Sequence, residues 1–598
     1  MKNIFIILLL FVIYGPVPAQ QTQKQDYIVP MGLPAPGHPE LGGDKQFQIN
    51  FQTEPSTIDT GHYPFPFHIT HASICDTAGN LMLYTNGVSI ANGLHEFVEG
   101  GDTITLHNDQ LEGFDGLEKQ IPQGALLLPS PANNGIYYLF HEEHQLLHDP
   151  LTGFMRFMIP QIYLTTIDMN ANGGKGKVLE KNVLIAERDS LFDKGRILAV
   201  RHANGRDWWV VIPEYYSTHL RRFLVTPEGV LPQPDIIIQE KMFPAGDPEQ
   251  AAFSPDGTKY AITGFKPENY QRYFYLFDFD RCTGILHNQQ TLQLDNWWLW
   301  GVFFSPDSRY MYWVHTDSAD VTQFDLWDSN WYDSGETVYE WEGFAAPFPA
   351  GPIYGWHGPD GRIYLPSGNG VTAMHRINQP NRRGAACDFE RNIPLPSVNY
   401  VTLPNFPNYR LGPIDGSSCD TLGINNDPVS WWRWEQDTLS ISRVNFTDLS
   451  YHEPAEWLWD FGDGTAVSQD TSPVHGYSSA GVYDVCLTVT NVHGSSTYCK
   501  AVEVTGVSGD NDAPLPSSAI RLHPNPANDV LFVNGLTLPD GRHTLLSLTD
   551  INGRRVLQHS LTPGQTAIPI NQLPDGVYFC SVVAQGQVVT VGRVVIIH

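Results

Sequence analysis

The feature that most restricts how this chain can fold is a turn that returns at an even interval. Phe253-Ser254-Pro255-Asp256-Gly257-Thr258-Lys259-Tyr260 comes back as Phe304-Ser305-Pro306-Asp307-Ser308-Arg309-Tyr310, then as His357-Gly358-Pro359-Asp360-Gly361-Arg362-Ile363-Tyr364. The prolines stand at 255, 306 and 359, so the steps are 51 and 53 residues. Proline presets φ at the second turn position, Asp bonds its own backbone, and Gly accepts a left-handed conformation. An alternating strand follows each turn, as with Tyr310, Tyr312 and Val314 on one face and Met311 and Trp313 on the other. Less regular copies occupy 78–84, 134–140 and 204–211.

A unit of about fifty residues holds roughly four short strands, the content of one propeller blade. Six marks predict a propeller of six or seven blades over residues 20–424. Stacked sandwiches fit less well, because each needs about 100 residues. Composition agrees with an all-β chain: 53 glycines, 45 prolines and 12% aromatics against only 17% charged residues. The Pro-Asp-Gly turns resemble those of TolB-like and WD-repeat-like propellers. The Gly79, Gly135 and Gly205 segments, with Leu403-Pro404-Asn405-Phe406-Pro407-Asn408-Tyr409-Arg410, look like secreted propellers of Bacteroidota.

Residues 428–505 carry Trp459-Asp460-Phe461-Gly462-Asp463-Gly464-Thr465, Ser472-Pro473-Val474-His475-Gly476-Tyr477 and Gly481-Val482-Tyr483-Asp484-Val485-Cys486-Leu487-Thr488-Val489. Tyr483, Val485, Leu487 and Val489 alternate toward a core, which turns Cys486 outward; Val502 and Val504 do the same for Cys499. The turn at 492–495 sets the two cysteines opposite each other, so a cross-strand disulfide is expected, adding about 3 kcal/mol in the chain-entropy model. The segment resembles the PKD module, an immunoglobulin-like β-sandwich. Asp460, Asp463 and Asp484 are read as turn and capping carboxylates rather than calcium ligands.

Residues 506–518 lack apolar periodicity and read as a linker. Residues 519–598 contain Leu522-His523-Pro524-Asn525-Pro526-Ala527-Asn528-Asp529, a hairpin turn at Asn552-Gly553, and Leu573-Pro574-Asp575-Gly576-Val577-Tyr578-Phe579. They close on Val594-Val595-Ile596-Ile597. This resembles the C-terminal sorting domain of type IX secretion in Bacteroidota, to judge by its short strands another small sandwich. The resemblance implies handling by the type IX machinery and either display on, or release from, the cell surface. At the other end, Lys2, the apolar run 4–14 and the small residues up to Ala19 form a signal peptide over 1–19, too short to span a bilayer. No transmembrane helix is expected in the mature chain.

The 35 basic and 64 acidic residues give a net charge of −29, which repels nucleic acid and anionic lipid. Export permits disulfides among the seven cysteines, and Cys387 with Cys419 could close the last propeller segment. His141-Glu142-Glu143-His144 lacks the His-Glu-x-x-His spacing of a helical zinc site, because its fifth position is Gln145, and it reads as a solvated loop. No Gly-x-Ser-x-Gly elbow and no phosphate-binding Gly-x-x-x-x-Gly-Lys loop occur, and no cofactor is expected. Trp208, Trp297, Trp298 and Trp300 could stack on sugar rings, although packing between blades competes for each. Trp431-Trp432-Arg433-Trp434 is expected to pack a domain junction. The expected function is a secreted, surface-displayed binding or adhesion protein whose propeller takes a glycan or protein ligand, the PKD-like module serving as spacer. The alternative is an extracellular hydrolase or lyase acting on polysaccharide or peptide through carboxylates in the propeller funnel.

Overall fold

The Pro-Asp turns close hairpins through bonds that their own residues supply. In the computed structural model, Ser254 Oγ donates to Asp256 Oδ1 at 2.5 Å, and that oxygen accepts the Thr258 amide at 2.9 Å. The Lys259 amide returns to Ser254 Oγ at 2.9 Å. Gly257 and Gly361 take φ of 72° and 74°, the left-handed conformation that glycine adopts without strain. The structure describes residues 24–35, 38, 41–104, 121–132, 134–244, 249–266, 271–294, 299–315, 318–345, 348–437, 442–504, 521–523, 527–536, 544–549, 555–561, 564–574, 576–584 and 587–596. The signal peptide, Trp297, Trp298, the 506–518 linker and the Asn552-Gly553 turn lie outside the described residues.

Seven sheets follow one another before residue 430. The first has three strands, Ile28–Met31, Gln46–Asn50 and Thr57–Gly61. The second pairs Thr70–Cys75, Leu81–Thr85 and Ile90–Asn92, and takes Leu403–Pro404 as a fourth strand at its edge. The third is Ala125–Pro129, Ile136–His148, Met155–Asp168 and Lys177–Phe192. The fourth is Leu198–Arg201, Trp208–Pro213, His219–Thr226 and Gly229–Ile237. The fifth is Ala251–Phe253, Lys259–Lys266, Gln271–Asp280 and Ile285–Leu294. The sixth is Leu299–Phe304, Tyr310–His315, Val321–Asp325 and Glu336–Tyr339. The seventh is Trp356–His357, Ile363–Pro366, Val371–Ile377 and Phe389–Asn399.

Each sheet packs its apolar face on the next. One core joins the second, third and fourth sheets, and separate cores join fourth to fifth, fifth to sixth, and sixth to seventh. The ring then closes through the first sheet. Phe51 meets Trp356 and Tyr364 of the seventh, with ring centroids 6.1 and 5.4 Å apart, and the Ile28 amide reaches Cys75 Sγ of the second at 3.3 Å. This is a seven-bladed β-propeller, with the blades built from antiparallel neighbours except at the Leu403–Pro404 edge strand, which pairs in parallel. From the third sheet onward, the first-to-second turns therefore leave at one end. The second-to-third turns and the links between sheets leave at the other, called here the loop end.

The two ends of the propeller segment are tied together. Leu403 and Pro404 pair in parallel with Thr70 and His71, and the Leu33 amide donates to the Val398 carbonyl at 2.8 Å. Asn405 Nδ2 donates to the carbonyls of Ala125 and Ile197, each at 2.9 Å, so one side chain bridges two adjacent sheets. Tyr409 is buried beneath them, and Arg201 Nη2 donates to its carbonyl at 2.8 Å. Cys419 is bonded to Cys282, at the turn between the third and fourth strands of the fifth sheet. The pairing of Cys387 with Cys419 is thus corrected: Cys387 is a buried free thiol in the sixth-to-seventh sheet core, and the 403–419 segment passes the fifth sheet instead.

The chain divides into two compact units, the second built from residue 430 onward apart from Tyr451–Pro454 and Asn491–Ser495, which belong to the first. It contains a sandwich of two three-stranded sheets, Trp432–Gln436, Arg443–Asp448 and Val474–Gly476 against Glu456–Asp460, Gly481–Asn491 and Gly494–Val504. Val485, Leu487, Val489, Val502 and Val504 line its core, and Cys486 is bonded to Cys499 with Cα atoms 4.1 Å apart. Trp432 sits in that same core against Trp459 rather than at a domain junction, because its indole fills the space between the two sheets. Asp463 Oδ1 accepts the Thr465 amide and hydroxyl at 3.1 and 2.6 Å, a turn-capping role. A further pair of sheets, of three and four strands, spans 521–596 around Leu531, Leu546, Leu548, Ile568 and Val594.

Candidate functional site

The loop end of the fourth and fifth sheets brings three aromatic rings into one stack. Tyr216 lies in the second-to-third turn of the fourth sheet, Phe243 in the link to the fifth, and Tyr273 near the start of the fifth sheet's third strand. Tyr216 and Phe243 stack with centroids 5.2 Å apart and planes 25° apart; Phe243 and Tyr273 follow at 4.8 Å and 27°. All three are half-buried. Lys241 Nζ stands 4.9 Å from the Tyr216 centroid and Lys266 Nζ 5.6 Å from that of Phe243. Two ammonium groups over aromatic faces, on a chain of net charge −29, make this a local cationic ledge.

The ledge is anchored from below. The Met242 amide donates to the Ser217 carbonyl at 3.1 Å, the Phe243 amide to Tyr275 Oη at 3.0 Å, and the Phe265 amide to the Pro244 carbonyl at 2.9 Å. Tyr216 adopts φ of 45°, a left-handed backbone that costs a bulky residue about 1–2 kcal/mol. That strain persists because the flanking residues hold it, Tyr215 Oη donating to Asp149 Oδ1 at 2.8 Å.

Beneath the rings runs a buried ionic network. Arg272, one residue before Tyr273, packs its guanidinium 4.1 Å from the Phe265 centroid and pairs with Glu249. Glu249 also takes Arg196 Nη2 at 3.0 Å and the Thr263 hydroxyl at 2.7 Å, while Arg196 Nη1 bonds Asp193 at 2.7 Å. Burial pushes the Glu249 carboxyl up from the usual carboxylate range, with Arg272 and Arg196 pulling the other way. Every one of these charges is buried. The arrangement fixes the fifth sheet's loop end and offers no carboxylate to solvent.

The residues singled out in the sequence fall elsewhere. Trp208 is 1% exposed, edge-on to Tyr409 with the Arg201 guanidinium 3.8 Å from its ring, a packing role. Trp300 is half-buried on the first strand of the sixth sheet. His141, Glu142, Glu143 and His144 are not a solvated loop: they lie within the 13-residue strand Ile136–His148 and are buried on both of its faces. Glu142 there accepts the Gly195 amide at 2.9 Å, and His141 Nε2 lies 3.1 Å from the Thr165 hydroxyl. Among the described residues, no group of three or more His, Cys, Asp or Glu side chains is placed to hold a metal ion. The ledge residues gave no signal in the sequence, standing 27 and 30 positions apart and joined only by the packing of two sheets.

Comparison with known proteins bears on the second unit. Residues 435–506 match the PKD domain family, and the PKD1 domain of Vibrio anguillarum Epp is 32% identical, covering 13% of this chain and 93% of that one, with a TM-score of 0.12. Residues 435–506 are a PKD domain. A microbial collagenase of Vibrio alginolyticus is 35% identical to this chain over 85 residues, which are 14% of the chain and 10% of that protein. The chain thus spans a tenth of the length of that curated relative. Downstream of the PKD domain, residues 521–597 match the secretion system C-terminal sorting domain, which addresses the chain through type IX secretion to the cell surface or extracellular space.

For the propeller, the periplasmic gluconolactonase of Pseudomonas aeruginosa is 13% identical, with 62% of this chain and 97% of that one covered and a TM-score of 0.34. The β-propeller domain of Cps50 from Myceliophteria thermophila is 10% identical, with 58% and 91% covered and a TM-score of 0.32. The propeller assignment itself rests on the order and packing of the seven sheets. Among the described residues, no helix is long and apolar enough to cross a membrane.

Proposed function

We propose that this secreted surface protein is a non-enzymatic binding protein whose propeller presents the Tyr216–Phe243–Tyr273 ledge to an extracellular glycan or protein. The observation that carries the reading is the ledge itself: half-exposed rings under Lys241 and Lys266, held on strained and braced backbone. Rigid aromatic anchors contribute contact area at small entropic cost, which suits recognition. The carboxylates gathered at this end support the same choice over hydrolysis. Glycoside cleavage asks for an acid and a base or nucleophile about 5–10 Å apart on either side of a substrate bond. Glu249 and Asp193 are instead engaged with Arg196 and Arg272, and Glu142 with the Gly195 amide. The PKD domain acts as a spacer and the sorting domain delivers the assembly.

The test applies the full chain to an array of polysaccharides and extracellular proteins, with retention and reaction products both measured. Retention without low-mass products, lost on combining Tyr216→Ala, Phe243→Ala and Tyr273→Ala, is expected. Product release, or retention indifferent to the triple change, overturns the reading.

A further inference from the structure

Trp327 presents an indole to solvent at the end of the propeller opposite the ledge. It lies on the connection between the third and fourth strands of the sixth sheet and is 72% exposed. The connection is braced from within. The Trp327 amide donates to Asp325 Oδ1 at 3.1 Å, the Asp328 amide to the Asp325 carbonyl at 3.1 Å, and the Asn330 amide to Asp328 Oδ1 at 3.0 Å. The Asp325 amide bonds Ser334 Oγ at 2.8 Å, and that hydroxyl donates to the Trp331 carbonyl at 2.5 Å.

Arg309 stands over one side of this indole, 4.8 Å from its centroid. Its Nε lies 3.1 and 3.2 Å from the two Asp325 oxygens, and its Nη2 lies 2.6 Å from Oδ2. That grip fixes the plane of the guanidinium and turns Nη1 away from Asp325. Asp325 is held below the ordinary carboxylate range by Arg309, so the pair stays charged and balanced. A rigid loop therefore displays an exposed indole with the Arg309 guanidinium held over one side, and the next residue, Asp328, is exposed as well and keeps its Oδ1 on the Asn330 amide.

We propose that Trp327, with Arg309 and Asp328, is a stacking site for one pyranose ring of a neutral glycan. The C–H face of a sugar lies on the open side of the indole, and its hydroxyls bond the bordering polar groups. An anionic ligand is disfavoured because Asp325 already neutralises Arg309 and the rest of the chain is strongly acidic, so the sugar proposed is a neutral one. The dimensions also favour a sugar over a protein. A stable protein interface buries about 1,200–2,000 Å² in total, whereas one ring with a polar rim matches one sugar. The site shares with the proposed function only the premise that the propeller binds ligands, and it lies apart from the ledge.

The test is native affinity electrophoresis of the full chain through gels holding hydroxyethyl cellulose, laminarin, xylan or galactomannan. The natural chain is expected to be retarded by at least one of the four, with affinity about tenfold weaker in Trp327→Ala and intermediate in Trp327→Phe and Arg309→Lys. The two conservative changes keep the site under test if the alanine variant fails to fold. Val482→Thr, an exposed residue of the PKD domain that belongs to neither the ledge nor this site, is expected to be retarded like the natural chain, so a loss confined to the Trp327 and Arg309 variants reports this site and not the ledge. No retardation by any of the four, or retardation unchanged by all three changes at the site, overturns it.

Discussion

Gly264 and Phe243 meet with no room for a side chain between them: a Cβ on Gly264 would stand 2.4 Å from the Phe243 carbonyl oxygen. The backbone of the 240–244 link rests directly on the fifth sheet there, which sets the middle ring of the ledge.

Gly264→Ala must therefore push that link away from the strand. The expected cost is about 1–3 kcal/mol of propeller stability, with Phe243 displaced from between Tyr216 and Tyr273. Thermal unfolding reads the first effect and retention on the ligand found in the array reads the second.

Glu249 is the shared anion of two buried guanidinium groups. Glu249→Gln keeps the shape and removes the charge, so Arg196 and Arg272 are left with an uncompensated excess in a dry site. Breaking such a pair costs about 3–5 kcal/mol. A lowered first transition in calorimetry is expected, and an unchanged one contradicts the network's supporting role.

Acid should loosen the propeller before the carboxylates titrate. Burial pushes His68, His315 and His375 down to about 4 and His71 down to about 3. His375 shows why its neutral form is built in: Nε2 donates to the Ala350 carbonyl at 2.6 Å, and Nδ1 accepts the Asn392 amide at 3.4 Å. These bases are depressed in the fold, so below the ordinary histidine value of about 6.5 the unfolded chain binds protons that the native chain refuses. Their contribution is complete above pH 6.5 and declines as pH falls toward 4, by up to about 1.4 kcal/mol per pH unit for each group. Unfolding temperatures between pH 7 and pH 4.5 should fall accordingly; a flat profile contradicts the neutral buried histidines.

Cys282 and Cys419 lie 137 residues apart in the chain, so their bond removes much freedom from the unfolded state. Cys419→Ser is expected to cost about 4–5 kcal/mol in the chain-entropy model. Peptide mapping without reductant should recover a 282–419 cross-link and leave Cys387 as a thiol; a 387–419 cross-link contradicts the closure described above.

Much of the architecture was legible from local chemistry. The Pro-Asp turns announced hairpins because proline, aspartate and glycine each fix a different part of a turn, and their spacing announced the blade. Alternation at Tyr483, Val485, Leu487 and Val489 turned Cys486 toward Cys499 for the same local reason. What escaped depends on partners remote in sequence. Cys419 finds Cys282 only once the 403–419 segment has crossed the fifth sheet. His141 to His144 look hydrophilic in isolation, and their burial is decided by the covering of both faces of an unusually long hairpin. Trp208 is a stacking candidate by size, yet its indole is spent in packing. Tyr216, Phe243 and Tyr273 are ordinary in the sequence and meet only through the packing of two sheets.

The most direct measurement of the central claim couples retention to product analysis on the polysaccharide and protein array. The full chain and its Tyr216→Ala, Phe243→Ala, Tyr273→Ala variant are compared on each surface. Saturable retention by the natural chain, strongly reduced in the variant and leaving the ligand chemically intact, is the predicted result. Cleavage of the retained ligand, or equal retention of both proteins, would contradict it.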